Sequence, residues 1–265
     1  MGSATVQALA ASRQALASLG SGADLATARE LFAAERVLGE SAQLRALLAD
    51  PSAGNDAKAD VLARVFGAHV SAQTLSLLSA IATHRWSNQN DLLAGIEEIG
   101  IRAIAQSTPA QVPLDDELLA FGHTVTGNAE LELALRSKLA SPDSKAELVQ
   151  RLLQGKASEQ TIALVRQLVS QPRGRSIRIA LRQTAAIIAD QSGLSIATVT
   201  SARPLSANQR DRLIAGLSVQ YDRELRINEV IDPALIGGLR VQIGNDVIDS
   251  SIATRINDVK LQLAG

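Results

Sequence analysis

The 265-residue chain contains no cysteine, and this absence excludes several kinds of chemistry at once. Without a thiol there is no disulfide, no thiolate metal site and no cysteine nucleophile. Aromatic residues make up only 2% of the chain although 46% of it is hydrophobic, so alanine, leucine, isoleucine and valine must form the core. Because alanine and leucine favour helix intrinsically, this composition indicates a mostly helical fold.

Charge and hydropathy exclude two further classes of protein. The formal net charge is −1, which argues against nucleic acid as the main partner. No apolar run approaches the roughly 18 residues that span a bilayer, so we expect any membrane association to come through a partner. The alanine-rich residues 1–19 are interpreted as a first amphipathic helix and not as a targeting segment.

Motifs that carry catalysis or bind metals are also lacking. The histidines His69, His84 and His123 do not stand at ligand spacing, and no HExxH, GxGxxG or GxSxG motif occurs. Residues 155–158 lack the first glycine and the hydroxyl position of a phosphate-binding loop. We therefore predict no catalytic residue, no cofactor and no bound metal.

Hydrophobic periodicity predicts six amphipathic helices in residues 1–106, which form a compact N-terminal bundle. Asp24 and Ser71 are placed to cap the second and fifth helices, and Pro51 terminates a short third one. The proline-containing residues 107–113 are interpreted as a linker.

The segment after this linker repeats landmarks of the first bundle. Residues 71–75 match residues 158–162, and residues 44–51 are echoed by residues 135–142, with a four-residue shortening between the two matches. We predict an internal duplication in which residues 114–192 repeat about four helices of the bundle. The alternative is chance similarity between two segments rich in alanine and leucine.

The sequence pattern changes after residue 193. Alternating β-branched residues predict a strand at 194–200, and Pro204 opens a helix that reaches about Tyr221. Two short strands follow around a glycine-rich connection, and a last amphipathic helix is predicted at 250–263. The order β-α-β-β-α indicates a small α+β domain over residues 193–265.

Within this domain, residues 225–250 resemble the C-terminal signature of the delta subunit of F-type ATP synthases. That family includes the mitochondrial oligomycin-sensitivity-conferring protein. The matching positions are Leu225, Ile227, Ile231, Asp232, Leu235, Gly237, Gly238, Leu239, Val241 and Gly244. Residues 200–206, TSARPLS, match a second family pattern. The extra helical block departs from the usual family member and resembles the enlarged actinobacterial-type form.

The resemblance implies a non-catalytic stator subunit of the peripheral stalk, which couples proton-driven rotation to ATP synthesis. It implies that the N-terminal bundle binds N-terminal segments of the alpha subunits and that the C-terminal domain binds the end of the b subunit. One copy per complex is expected, at the cytoplasmic face of the bacterial cell membrane. The competing hypothesis is a helical-repeat adaptor unrelated to ATP synthase, which explains residues 1–192 but leaves the signature unexplained.

Two groups of residues are candidates for contacting partners. A groove beside the first and fifth helices would present Leu9, Leu16, Leu75 and Leu78, although some of these must fill the core. Arg175, Arg178 and Arg182 lie in a locally basic stretch, which is either a solvated helix face or a docking surface for an acidic helix.

The glycine pair and the neighbouring aspartates have simpler interpretations than ligand binding. Gly237 and Gly238 are interpreted as a backbone device that lets two strands turn tightly. Asp232, Asp246 and Asp249 are interpreted as turn residues, because aspartate is favoured in turns and caps.

Overall fold

The computed structural model separates into two compact units, Met1–Ile188 and Ala189–Gly265. The residues that it describes are 2–109, 111–192, 194–221, 224–233, 235, 237–243 and 246–249. The first unit is helical and the second combines one helix with a small sheet, so the predicted fold class is confirmed. The finer division of the helical part at residues 107–113 stays a prediction.

Eleven α-helices begin in the described residues of the first unit, and we group them into two successive blocks, before and after residues 108–113. The first block contains α1 (Ser3–Leu19), α2 (Leu25–Glu40), α3 (Ala42–Ala49), α4 (Asn55–Phe66), α5 (Ala72–Thr83) and α6 (Gln89–Ser107). The second block contains α7 (Leu114–Gly127), α8 (Ala129–Arg136), α9 (Pro142–Leu153), α10 (Glu159–Ser170) and α11 (Ile177–Gln191). The six helices predicted in residues 1–106 are all present.

Most of these helices begin where a short polar side chain accepts a hydrogen bond from the first turn. Such caps satisfy backbone N–H groups that have no partner inside the helix. The capping residues are Asp24, Ser41, Ser71, Asn88, Asn128, Ser141 and Ser158.

The bounds of α3, α4 and α5 correspond to those of α8, α9 and α10 at a constant spacing of 87 residues. Ser41 and Asn128 cap α3 and α8, and Ser71 and Ser158 cap α5 and α10. The predicted echo between residues 44–51 and 135–142 is therefore wrong, and no shortening is needed. Pro51 lies in the turn after α3, whereas Pro142 is the first residue of α9. Both segments begin with Leu-Arg and end with proline, so they are alike in sequence although they occupy different positions relative to their helices.

One hydrophobic core runs through both blocks, from Ala8 to Ile188. Helix α2 packs against α6 and also contacts α10, so it serves both blocks. At its centre Phe32 lies against Gly100, and Trp86 lies against Gly95, where any larger residue would collide with the ring. Small residues on α6 thus let two bulky aromatic side chains enter an otherwise aliphatic core.

The second unit contains α12 (Ala207–Tyr221) and the strands β1 (Leu194–Ser201), β2 (Glu224–Ile231), β3 (Leu239–Ile243) and β4 (Asp246–Asp249). The sheet order is β2-β1-β3-β4, with β1 parallel to β2 and antiparallel to β3. Leu217 of α12 packs with four strand residues to form a small separate core. The helix predicted at 250–263 lies outside the described residues.

This topology corrects the expected role of the glycine pair. Because β1 lies between β2 and β3, their connection is not a tight turn between neighbouring strands. The backbone N–H of Asp232 instead donates to the carbonyl of Ser201, at the end of β1, over 2.8 Å. The alternation predicted the strands correctly but carries no information on which strands are neighbours.

Candidate functional site

The surface beside α1 and α5 is the first candidate for a partner contact. Leu9, Leu16 and Leu78 are buried in the core, whereas Leu75 is only partly buried. Three of the four predicted groove residues therefore belong to the core on which the two helices pack. In the described conformation only Leu75 offers part of its side chain to a partner.

One flank of α1 is occupied by contacts with α6. Arg13 donates to Glu98 over 2.6 Å, and Glu98 also accepts from the Nε atom of Arg102 over 2.9 Å. Val6 precedes Arg13 by two helical turns, so it lies on the same flank, with 56% of its surface exposed. Because α1 contacts both α5 and α6, the surface next to α5 is the other flank of α1.

The basic stretch separates into buried and exposed residues. Arg175 forms an ion pair of 2.8 Å with Glu97 of α6, so its charge is engaged within the chain. Arg178 lies 3.7 Å from Glu132 and remains about half exposed. Arg182 is exposed on α11. Arg175 therefore serves the fold, and the docking prediction now depends on Arg178 and Arg182.

The turn before α11 directs two arginines into the helical unit. Arg173 and Gly174 both have positive φ, 46° and 76°, and the N–H of Arg175 donates to the carbonyl of Pro172 over 2.9 Å. A non-glycine residue in this conformation is uncommon and costs about 1 kcal/mol or more. Arg173 keeps it while donating to Glu97 and lying 3.6 Å from Glu35 of α2.

Glu35 is the most deeply buried acid in the cluster that it forms with Glu97, Arg173 and Arg175. Its side chain is 1% exposed and accepts a hydrogen bond from Gln167 of α10. Burial raises the pKa of Glu35 to about 7, against the opposing effect of the neighbouring arginines. Burial also lowers the pKa of Arg173 to about 10, which leaves it charged at neutral pH.

A repeated acidic cap joins the long helices of each block. In the first block, Glu30 accepts hydrogen bonds from Ser71 and Thr74, which lie 41 and 44 residues further on. Glu117 accepts the same bonds from Ser158 and Thr161 at the same two separations. Sequence reasoning matched the Ser-x-x-Thr caps but missed the two acids, although their 87-residue spacing was there to be found.

Hydrogen bonding keeps both of these carboxyls ionised. Burial raises the pKa of Glu30, but the bonds from Thr74 and Ser71 outweigh it, so the net shift is downward. The pKa of Glu117 is lowered for the same reason by Ser158 and Thr161.

The signature residues are divided between core and surface of the second unit. Leu225 and Val241 are buried, Ile227, Leu235 and Leu239 are partly buried, and Ile231 is 52% exposed. Gly237 and Gly238 have φ values of 66° and 80°, a region that glycine adopts without steric cost. Gly244 lies outside the described residues.

Of the three aspartates, Asp232 lies in a turn, and its carbonyl accepts from the N–H of Leu235 over 3.0 Å. The turn assignment is wrong for Asp246 and Asp249, which begin and end β4.

Glu229 connects the two segments that match family patterns, residues 200–206 and 225–250. Sequence reasoning did not single it out. From β2 it accepts the backbone N–H of Leu205, within TSARPLS, over 2.5 Å. It also lies 3.1 Å from Arg210 of α12. The two family patterns therefore meet around one carboxylate, which holds the start of α12 against the sheet.

Metal-binding clusters and membrane-spanning helices are both absent from the described part of the chain. It contains no cluster of three or more acidic or histidine side chains placed to hold a metal ion. None of its helices is long and apolar enough to cross a membrane.

Comparison with known proteins identifies relatives over the whole chain. The profile of the ATP synthase delta (OSCP) subunit family matches residues 13–98 and 102–263. The ATP synthase subunit delta of Leifsonia xyli is 58% identical over 265 residues, covering 100% of both chains. That of Streptomyces coelicolor is 38% identical over 272 residues, covering 100% of this chain and 98% of the relative.

A solved chain of the mitochondrial ATP synthase hexamer of Toxoplasma gondii is 19% identical, with a TM-score of 0.45. The alignment covers 63% of this chain and 95% of that one, a likeness too weak to support an argument. The family matches themselves span both helical blocks and the C-terminal unit. The family predicted from the C-terminal signature is thus confirmed, and the chain belongs to the ATP synthase delta (OSCP) subunit family.

Proposed function

We propose that the chain is the non-catalytic delta subunit of an F-type ATP synthase, a stator that joins the catalytic head to the peripheral stalk. Its task is to hold the head against rotary torque, so that proton-driven rotation is coupled to ATP synthesis. The observation that carries this proposal is family membership along almost the whole chain. The alternative, an unrelated helical-repeat adaptor, gains no support from any relative.

The helical unit is proposed to bind N-terminal segments of the alpha subunits beside α1 and α5. The two helices pack side by side, and Leu75 offers a partly exposed apolar side chain next to them. The partly buried flank of α1 carries small residues, among them Ala11 and Ala15, which allow the close approach of another helix. An amphipathic helix laid in such a groove binds through a few apolar anchors.

The C-terminal unit is proposed to bind the end of the b subunit. Strand β2 lies at one edge of the sheet and β4 at the other. Apolar side chains are exposed near both edges, at Val230, Ile231 and Val247, and Val219 of α12 is 85% exposed. These exposed apolar side chains are the candidate anchors for the b subunit. Through b, the chain would reside at the cytoplasmic face of the membrane.

Titration of the full chain with a peptide from the alpha N-terminus tests the first contact. We expect binding with a dissociation constant of about micromolar, as for other helix-in-groove contacts. Replacement Leu75→Ala should weaken it by roughly tenfold, since an apolar anchor is worth about 1–2 kcal/mol. Val6→Ala, on the α6 flank of α1, is the matched control and should leave binding unchanged. Absence of binding at tens of micromolar would refute the contact.

The b contact is tested separately with the same full chain. Gly238→Val places a β-branched side chain at a φ of 80°, so it should loosen the C-terminal unit and weaken capture by the b subunit. Binding of the alpha peptide should survive, because the helical unit has its own core. Unchanged b capture and unchanged stability would contradict the proposed role of this loop.

A further inference from the structure

Three polar atoms near the junction of the two helical blocks are buried without a hydrogen-bond partner. They are Oε1 of Glu35 on α2, Oε1 of Gln167 on α10 and Nε of Arg173 in the following turn. A buried acceptor left unpaired costs about 1–3 kcal/mol. Two such acceptors on side chains that already contact each other require a physical explanation.

A proton on Glu35 supplies that explanation. Gln167 donates from its amide nitrogen to Oε2 of Glu35, which leaves one oxygen of each side chain unpaired. A protonated carboxyl has one O–H to donate, whereas a carboxylate only accepts. We propose that Glu35 is protonated in the folded chain and forms a two-point acid–amide pair with Gln167, so that a proton controls the latch between the two blocks.

The terminal nitrogens of the neighbouring arginines are engaged elsewhere, which is compatible with a neutral Glu35, whereas Nε of Arg173 lies 3.6 Å from Glu35 without an acceptor. Arg173 and Arg175 both donate to Glu97 of α6. Arg36, on α2 itself, is the remaining cation that acts on Glu35. Helix α10 contributes only the neutral Gln167. The effect of burial on the pKa of Glu35 therefore outweighs the opposing effect of these cations. Two of them, Arg173 and Arg175, already bind the carboxylate of Glu97.

Loss of the proton changes this arrangement at two points. An ionised Glu35 cannot donate to Gln167, and it competes with Glu97 for Arg173, whose Nε lies 3.6 Å away. The turn that holds Arg173 has an unfavourable backbone conformation, which those ion pairs maintain. Deprotonation should therefore loosen the attachment of the second block to the first.

The direction of the pH effect follows from proton linkage. Burial raises the pKa of Glu35 from 4.5 to about 7, so the folded chain binds more protons than the unfolded chain between these values. The stabilisation by the latch is full at low pH and falls as the pH rises through this window. It should stop falling above about pH 7, where both states are deprotonated.

Denaturant unfolding of the full chain and of Glu35→Gln tests the latch. Fluorescence of Trp86, the one tryptophan of the chain, reports the helical unit. A glutamine carries the N–H and carbonyl that reproduce a protonated acid, so Glu35→Gln should lack this pH dependence. The folding constant of the parent, relative to the variant, should fall by up to tenfold per pH unit between about pH 5 and 7. A ratio that stays flat across this window would show that Glu35 is already ionised in the folded chain, and so would overturn the proposal.

Infrared spectroscopy of the folded chain gives an independent measurement. At pH 6 the parent should show the carbonyl band of a protonated carboxyl, and the band should vanish on titration through about pH 7. It should be absent in Glu35→Gln and retained in Glu30→Gln, which removes a carboxyl of lowered pKa. A parent spectrum without that band at pH 6 would also overturn the proposal, whatever the variants do.

Discussion

The two helical blocks contain three helices of matching length but differ in how their interiors are packed. Helices α3, α4 and α5 have the same lengths as α8, α9 and α10, and the acidic caps at Glu30 and Glu117 coincide. The first block encloses Phe32 and Trp86 against glycines of α6. The second leaves Leu133 and Leu139 exposed at 72% and 99%.

Despite this difference, the two blocks are joined by one shared core. Leu164 and Val165 of α10 belong to the same core as the first block. Gln167 contacts Glu35, and Arg173 and Arg175 contact Glu97, so polar contacts join the blocks as well. Helix caps are preserved between the blocks because they are local, whereas the core is shared.

The largest expected effect compares one substitution in both blocks. Gly95→Ala in α6 places a Cβ 2.1 Å from the Trp86 ring, which is held by its N–H bond to Ile81. It should cost about 3 kcal/mol of unfolding free energy. Gly122→Ala in α7 meets only Leu181 at 3.7 Å, and it should stabilise the chain by about 0.5–1 kcal/mol through helix propensity. Equal effects in denaturant unfolding would contradict the difference in packing.

An effect of intermediate size is expected at the acidic caps, Glu30 and Glu117, which the two blocks have in common. Glu30→Ala and Glu117→Ala each remove the acceptor of a serine and a threonine, and each should cost about 1 kcal/mol. Since both pKa values are lowered, the contribution is present above the ordinary value of 4.5 and is lost as the pH falls below it. Denaturant unfolding at pH 7 and pH 3.5 measures both. A large loss for one acid and none for the other would break the equivalence of the two caps.

The smallest effect concerns the exposed ion pair between the blocks. Arg29 of α2 lies 2.9 Å from Glu159 of α10, but their side chains are 53% and 75% exposed. Solvent screens such pairs, so Arg29→Ala should change the unfolding free energy by less than about 0.5 kcal/mol. A loss several times larger, measured by the same unfolding assay, would mean that surface charges, and not the buried contacts, hold the blocks together.

Much of this architecture was predictable because its determinants are local in sequence. Asp24 and Ser71 predicted helix starts, and the alternation of residues 194–200 predicted β1. The C-terminal signature predicted the family, since its positions form one continuous pattern.

The features that escaped prediction depend on residues far apart in the chain. Glu35 and Gln167 lie 132 residues apart, and no periodicity links an acid on one helix with an amide on another. Hydrophobic spacing showed that Leu9, Leu16, Leu75 and Leu78 share helix faces, but only packing shows which of them are buried. The insertion of β1 between β2 and β3 likewise follows from pairing and not from alternation.

The most direct test of the stator assignment is reconstitution of coupled ATP synthesis. Vesicles containing the membrane sector with its b subunits are combined with catalytic heads that lack delta, and a proton gradient is imposed. If the chain is the stator subunit, ATP should be synthesised only when the full chain is added, saturating at one chain per head, while the isolated chain hydrolyses no ATP. Equal synthesis with and without the chain, or turnover of ATP by the chain alone, would contradict the stator role.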